Sequence, residues 1–162
     1  MSTVFCERSS LSDIAVRLIP DHVLAAITLW AECRGEPWDG QIAVAEVIRN
    51  RTAQKHFSDG TVASTILWPY QFSCWNTKDP NRAKMFGLLY GDKLAEQCIR
   101  AWNDAMAGTD FTKGALFYAN LDALTETPAW VAGCVQTVKI ARHRFYRLKT
   151  SDETKELAAN HL

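Results

Sequence analysis

Neither sign of charge is in excess in this sequence. Lys plus Arg number 18 and Asp plus Glu number 18, so the formal net charge is zero. A general nucleic-acid binder carries a basic surplus, and this balance argues against one. Long apolar runs are missing as well. None approaches the roughly 18 residues that a membrane span requires, so no stable membrane association is expected. The opening residues, MSTVFCERSSLSDIAVRLIP, lack a basic start followed by an apolar stretch. No secretory leader is therefore expected, and synthesis in the cytoplasm is. No stretch is rich in Gly, Pro or Ser, and no internal repeat is found, which excludes linkers and repeat architectures.

Cysteine pairs are lacking too. The five cysteines (Cys6, Cys33, Cys74, Cys98 and Cys134) are odd in number and form no CxxC motif. They read as free thiols of a reducing compartment. They share no ligand spacing with His22, His56, His143 and His161, so neither a metal nor another cofactor is expected. No motif suggests a Ser-His or Cys-His pair, which makes a protease or amidase a poor reading.

What is present suits one globular domain. The 162 residues are 48% hydrophobic and 22% charged, enough to bury a core without disulfides. The expected domain spans residues 1–162, with its core at about 21–147 and loose ends at 1–9 and 150–162. Helical spacing of apolar residues predicts helices over 11–18, from Asp21 to Cys33 or Arg34, and from Pro37 to about Ala53. Glu46 and Arg49 read as the solvated face of the last of these. Thr61 caps a short helix that ends before Pro69. Residues 70–79 read as a loop, 80–89 as a short helix, and Asp92 caps a longer helix through Met106. Leu94, Cys98, Ala101, Trp102 and Ala105 form the apolar side of that helix, and Gly108 ends it. The texture then changes to short alternating segments, GALFYAN, VQTVKI and HRFYRL, with a turn at Ala141 and Arg142. The tail after Thr150 is either a frayed helix or disordered. The fold class is mainly α (α+β), with a small β element near the C-terminal end.

One cluster stands apart from the scattered acids: Trp30-Ala31-Glu32-Cys33-Arg34-Gly35-Glu36-Pro37-Trp38. Gly35 favours a helix stop, and Pro37 pushes Glu36 out of the α region. Glu32 then lies at a helix C-terminus beside Trp30, where dipole and desolvation disfavour ionisation. Glu36 lies at a helix start, where a negative charge is stabilised. Glu32 is therefore expected to be the more easily protonated acid, and a protonated carboxyl is what glycosidic cleavage needs. Arg34 opposes this if its side chain turns toward Glu32. A plainer reading has Glu32 paired with Arg34 and Glu36 as an ordinary helix-start acid.

The run AECRGEPWDGQIAVAEVIRNR resembles the opening motif of the cell wall hydrolase family typified by the bacterial spore-cortex-lytic enzymes. The matching positions are Glu32, Arg34, Gly35, Glu36, Pro37, Gly40, Gln41, Asn50 and Arg51, with Cys33 in place of the usual Ala. Three further stretches are similar, in order: 62–72 with Gln71 and Phe72, followed by Ser73; 110–120 with Gly114, Ala115 and Tyr118; and 139–146 with Ile140, His143, Phe145 and Tyr146. The likeness covers roughly residues 21–147.

The resemblance implies a lysozyme-like catalytic domain acting on peptidoglycan glycan strands, with Glu32 as catalytic acid. It favours a lytic transglycosylase, in which Glu32 acts as both acid and base and leaves 1,6-anhydro-muramic ends. The alternative is a hydrolytic muramidase that uses a second carboxylate such as Glu36. A non-catalytic glycan-binding or phage structural module stays open as a further class. The family's spore members carry a secretion signal and a wall-binding module. This chain shows neither, which makes it resemble a phage endolysin that reaches the wall after membrane permeabilisation, as a monomer. Gln71, Phe72, Ser73 and Tyr118 are the candidate substrate-binding residues; for Phe72 and Tyr118 a place in the core is the other reading. Trp130 lines the groove or packs in the core. His143 acts directly or bonds a nearby backbone group. The basic residues of ARHRFYRLK read as a solvated strand edge.

Overall fold

The computed structural model describes residues 16–88 and 92–159. The expected helix over 11–18 lies largely outside the described residues. Two central helices follow. Helix α1 (Asp21–Cys33) buries Leu24 through Trp30 and Cys33, and helix α2 (Trp38–Gln54) buries every residue from Gly40 to Ile48, then Asn50 and Arg51. Helices covered nearly all round have little room for a polar face. Short helices α3 (Val62–Leu67) and α4 (Pro80–Gly87) flank α1, and the longer α5 (Lys93–Met106) packs across α1 and α2. The caps are the expected ones. The Thr61 side chain accepts the Ser64 amide, and Asp92 accepts that of Leu94. Gly108, at φ +111°, lets the chain leave α5 in a left-handed turn. Leu94 departs from the expected apolar side and is 42% exposed.

The core is aliphatic and tight. Leu24, Leu29, Ile48 and Ile66 are all fully buried, and truncating any one to Ala would cost about 2–5 kcal/mol. Cys33, Cys74, Cys98 and Cys134 are buried free thiols. Burial pushes Cys98 up to about 12, with Asp92 adding to the effect.

Two expectations are corrected. Glu46 does not face solvent; it is fully buried, and its two carboxylate oxygens accept the amides of Phe111 (3.0 Å) and Thr112 (2.8 Å). Arg49 likewise reaches across to the carbonyls of Ala105 (2.5 Å) and Thr109 (2.7 Å). Both polar groups of α2 tie down the segment that leaves α5, a partner far along the chain that helical periodicity does not register.

The second correction concerns the sheet. Strands β1 (Phe117–Ala119), β2 (Cys134–Ile140) and β3 (His143–Leu148) form an antiparallel sheet in the order β1-β3-β2. The basic strand β3 is thus the central strand, not an edge. Its charges are consumed locally: Arg144 pairs with Asp122 at 3.1 Å and Arg147 with Glu153 at 2.7 Å. The latter pair ties β3 to helix α6 (Ser151–Ala159) in the tail. Register sets Tyr118 opposite Phe145, and Ala141 at φ 49° makes the β2–β3 turn.

Candidate active site

Glu32 sits on the last turn of α1, beside the buried Trp30 and Cys33 but itself only half-buried. The helix ends directly after it. Pro37, extended at φ −61° and ψ 166°, starts α2 in a new direction. Glu32 and Glu36 therefore do not share a helical face, as the Gly35 and Pro37 pattern predicts.

The surroundings of the two acids differ. One Glu32 oxygen accepts the Tyr118 hydroxyl at 3.0 Å, and the other faces the Cys74 amide at 3.5 Å. Both donors are neutral. Burial and the neighbouring Glu32 raise the Tyr118 pKa well above the ordinary phenol value, so Tyr118 keeps its proton and remains a donor. Burial, then Glu32, also pushes the Cys74 thiol up. Arg34 turns away. Its guanidinium covers the Trp30 ring at 4.1 Å and donates to the carbonyls of Trp30 and Ala31 at the end of α1. This is the usual service of a basic residue at a helix C-terminus.

The Glu36 side chain is only 2% exposed. Its Oε1 accepts Nε (2.6 Å) and a terminal nitrogen (2.5 Å) of Arg142, and its Oε2 accepts the Arg142 backbone amide at 3.4 Å. Glu36 is the post to which the β2–β3 turn is tied. His143 lies between the two acids. Its Nδ1 is 3.9 Å from Glu36, and its ring meets the Tyr118 ring edge-on at 5.2 Å. Burial lowers the His143 pKa, against the pull of Glu36.

Three elements assemble this corner. Tyr118 comes from β1. The 3₁₀ turn Ser73–Trp75 supplies the Cys74 amide, and Trp75 donates its indole N–H to Thr28 Oγ1 on α1 at 3.0 Å. That bond fixes the turn against the helix that carries Glu32. Behind the site Arg51 is buried. Its Nε donates to the Leu116 carbonyl at 2.6 Å, and its guanidinium lies 5.3 Å from the Phe72 ring centre and 5.7 Å from that of Phe117.

Of the expected site residues, Glu32 and Tyr118 meet directly. Gln71, half-buried, and Ser73, exposed, lie on the segment that leads to Cys74. Phe72 is corrected: at 1% exposure, in the core and under Arg51, it has no face open to a sugar. Its role is to anchor the loop. Trp130 stacks on Phe117 with centroids 5.1 Å apart, which makes it a packing residue of the sheet. Sequence reasoning missed the Cys74 amide and Arg142. A backbone donor leaves no side-chain signature, and Arg142 stands 106 positions from its partner.

This geometry can be set beside known proteins. Residues 35–146 match the Cell Wall Hydrolase family. The chain belongs to that family. The match begins three positions after Glu32, so Glu32 rests on the neighbouring motif and on the geometry. The spore cortex-lytic enzyme of Bacillus subtilis is 35% identical over 125 residues, 77% of this chain and 37% of that protein. That of Bacillus cereus is 37% identical, covering 77% of this chain and 43% of that protein. The chain thus spans about two-fifths of the length of these spore cortex-lytic enzymes. The catalytic domain of the germination-specific lytic transglycosylase SleB from Bacillus anthracis shares the fold. Its TM-score is 0.60 at 31% identity, over 87% of this chain and 98% of that domain. The catalytic domain of the Bacillus cereus SleB protein gives a TM-score of 0.61 at 35% identity, over 78% of this chain and 89% of that domain. The expected mostly helical class with a small C-terminal sheet agrees with these structures.

Proposed function

We propose that this domain cleaves the MurNAc–GlcNAc bond of peptidoglycan as a lytic transglycosylase, with Glu32 as acid and base. The observation that carries this reading is a half-buried carboxylate held by two neutral donors, Tyr118 and the Cys74 amide. The shared fold with a lytic transglycosylase domain supports it. Protonated Glu32 gives its proton to the glycosidic oxygen, and the bond from that oxygen to C1 breaks. The resulting carboxylate takes the proton of the C6 hydroxyl of the same sugar. That oxygen then closes on C1, giving the 1,6-anhydro ring and restoring the acid. No water is consumed. The two donors hold the carboxylate in place while it gives up and takes back the proton.

The muramidase alternative needs a second carboxylate to activate water. Glu36 is a poor choice, since both its oxygens face Arg142 and it is withdrawn from solvent. The test is mass spectrometry of soluble fragments from purified peptidoglycan, with Glu32→Gln as control. Products one water lighter than hydrolytic muropeptides, absent from the control, are expected. Reducing-end products would replace this mechanism with hydrolysis. No fragments from either protein would favour a glycan-binding module. The proposal extends to an endolysin role, tested apart from the chemistry: cells expressing the protein in the cytoplasm lyse only when their membrane is permeabilised.

A further inference from the structure

The loop before the catalytic corner carries a residue that the fold does not account for. Tyr70 is 81% exposed, and its backbone lies in the left-handed region at φ 64°. A bulky side chain is disfavoured there, and Gly or Asn would suit the turn better. Other non-glycine residues in this region have local reasons. Lys55 closes α2, Ala141 makes the β2–β3 turn, Lys113 sits in the turn where its amide reaches the Asp110 carbonyl at 3.4 Å, and Phe57 packs its ring on His56 at 4.4 Å. The Tyr70 side chain has no hydrogen bond or ring contact among the described residues. Turn geometry explains the backbone but not the aromatic ring. Strain held at such a position points toward function.

The placement says which function. The Gln71 amide bonds the Trp68 carbonyl at 3.2 Å, Phe72 is sunk in the core, and the Cys74 amide faces Glu32. Both sides of Tyr70 are therefore pinned, and its ring is presented by a stiff support. Cys74 follows by four positions, so Tyr70 lies at most about 14 Å of chain from the residue that touches the catalytic carboxylate. A short oligosaccharide covers that span. The ligand that suits an exposed aromatic face with a hydroxyl at its rim is a sugar ring, whose one face is lined by C–H bonds and whose edge carries hydroxyls.

We propose that Tyr70 is a stacking platform for a sugar of the glycan strand, flanking the bond that Glu32 cleaves. This rests on the glycan-cleaving reading above. Tyr70 adds affinity and chain-length preference and takes no part in proton transfer.

The test uses the full chain carrying Glu32→Gln, which removes turnover, and purified soluble peptidoglycan glycan fragments of defined length. Adding Tyr70→Gly should weaken binding roughly three- to tenfold, the range of one aromatic contact, while the melting temperature holds or rises because glycine fits the left-handed turn. Tyr70→Phe should keep most of the affinity. In the active protein, Tyr70→Gly should raise KM on long strands and leave kcat near its original value. Opposite signs for stability and binding are what a merely structural tyrosine would not produce. Equal binding with and without Tyr70→Gly would overturn the platform while leaving the glycan-cleaving reading intact. If Glu32→Gln binds no glycan and the unmodified protein releases no fragments, both readings fall together.

Discussion

Glu32 and Glu46 lie on neighbouring central helices and are the same residue, yet their surroundings could hardly differ more. Glu46 is fully buried, with each oxygen on a backbone amide at 3.0 Å or less. Glu32 stands at the rim, with one phenol and one amide at 3.5 Å. Glu36 belongs with Glu46, since Arg142 saturates it. A carboxylate with all its acceptor sites filled by fixed partners is a fastening. One with neutral donors, a loose contact and an open side can exchange a proton with a substrate. Within this domain, satisfaction and exposure set the two fastened acids apart from Glu32, the acid proposed to react, a distinction that sequence spacing does not make.

The contrast can be broken most forcefully by exchanging roles. Glu32→Gln should cut turnover on peptidoglycan by at least a thousandfold and move stability by no more than about 0.5 kcal/mol. Glu46→Ala should do the reverse. It strands two buried amides and costs about 3 kcal/mol or more, which lowers the melting temperature by roughly 6–12 °C. A stable Glu46→Ala protein with lost activity would overthrow the division. Next in size is the Glu36–Arg142 pair. Arg142→Ala leaves a buried acid without its partner and should cost about 2 kcal/mol, less than a fully buried pair because the arginine is 63% exposed. A double-mutant cycle with Glu36→Gln should recover part of that loss, and additivity would mean that the pair is idle.

Smaller effects sharpen the same comparison. Tyr118→Phe removes one hydrogen bond to Glu32. A roughly tenfold drop in kcat is expected with little change in melting, read from initial rates on glycan strands. The last concerns pH. Burial lowers the pKa of both His143 and His56 below the free-histidine value of 6.5. The unfolded chain therefore binds protons more readily than the folded one, so stability is fully present above about pH 6.5 and falls as pH drops below it. Thermal melts from pH 7.5 to 5 should show this slope, and His143→Gln should flatten it.

Much of this architecture is legible in the chain. Helix limits at Gly35, Pro37, Thr61 and Asp92 follow from local rules, and so does the separation of Glu32 from Glu36. The resemblance of four ordered motifs brought Tyr118 into view beside Glu32, which composition and spacing alone would not have done. What stayed hidden depends on partners distant in sequence. Glu46 looks solvated until Phe111 and Thr112 arrive, and β3 looks like an edge until β1 pairs with it. Phe72 sits between a half-buried Gln71 and an exposed Ser73, so nothing local says that its own ring turns inward.

The buried thiols have a practical consequence. Cys33, Cys74, Cys98 and Cys134 stand at the end of α1, in the turn beside Glu32, within α5 and at the start of β2. An alkylating reagent meets each only when its own segment opens, so the rates of modification form a regional map of opening. Glycan bound along the loop should slow labelling at Cys74 first. On the proposed glycan reading, labelling at Cys74 then reports occupancy without any added fluorophore.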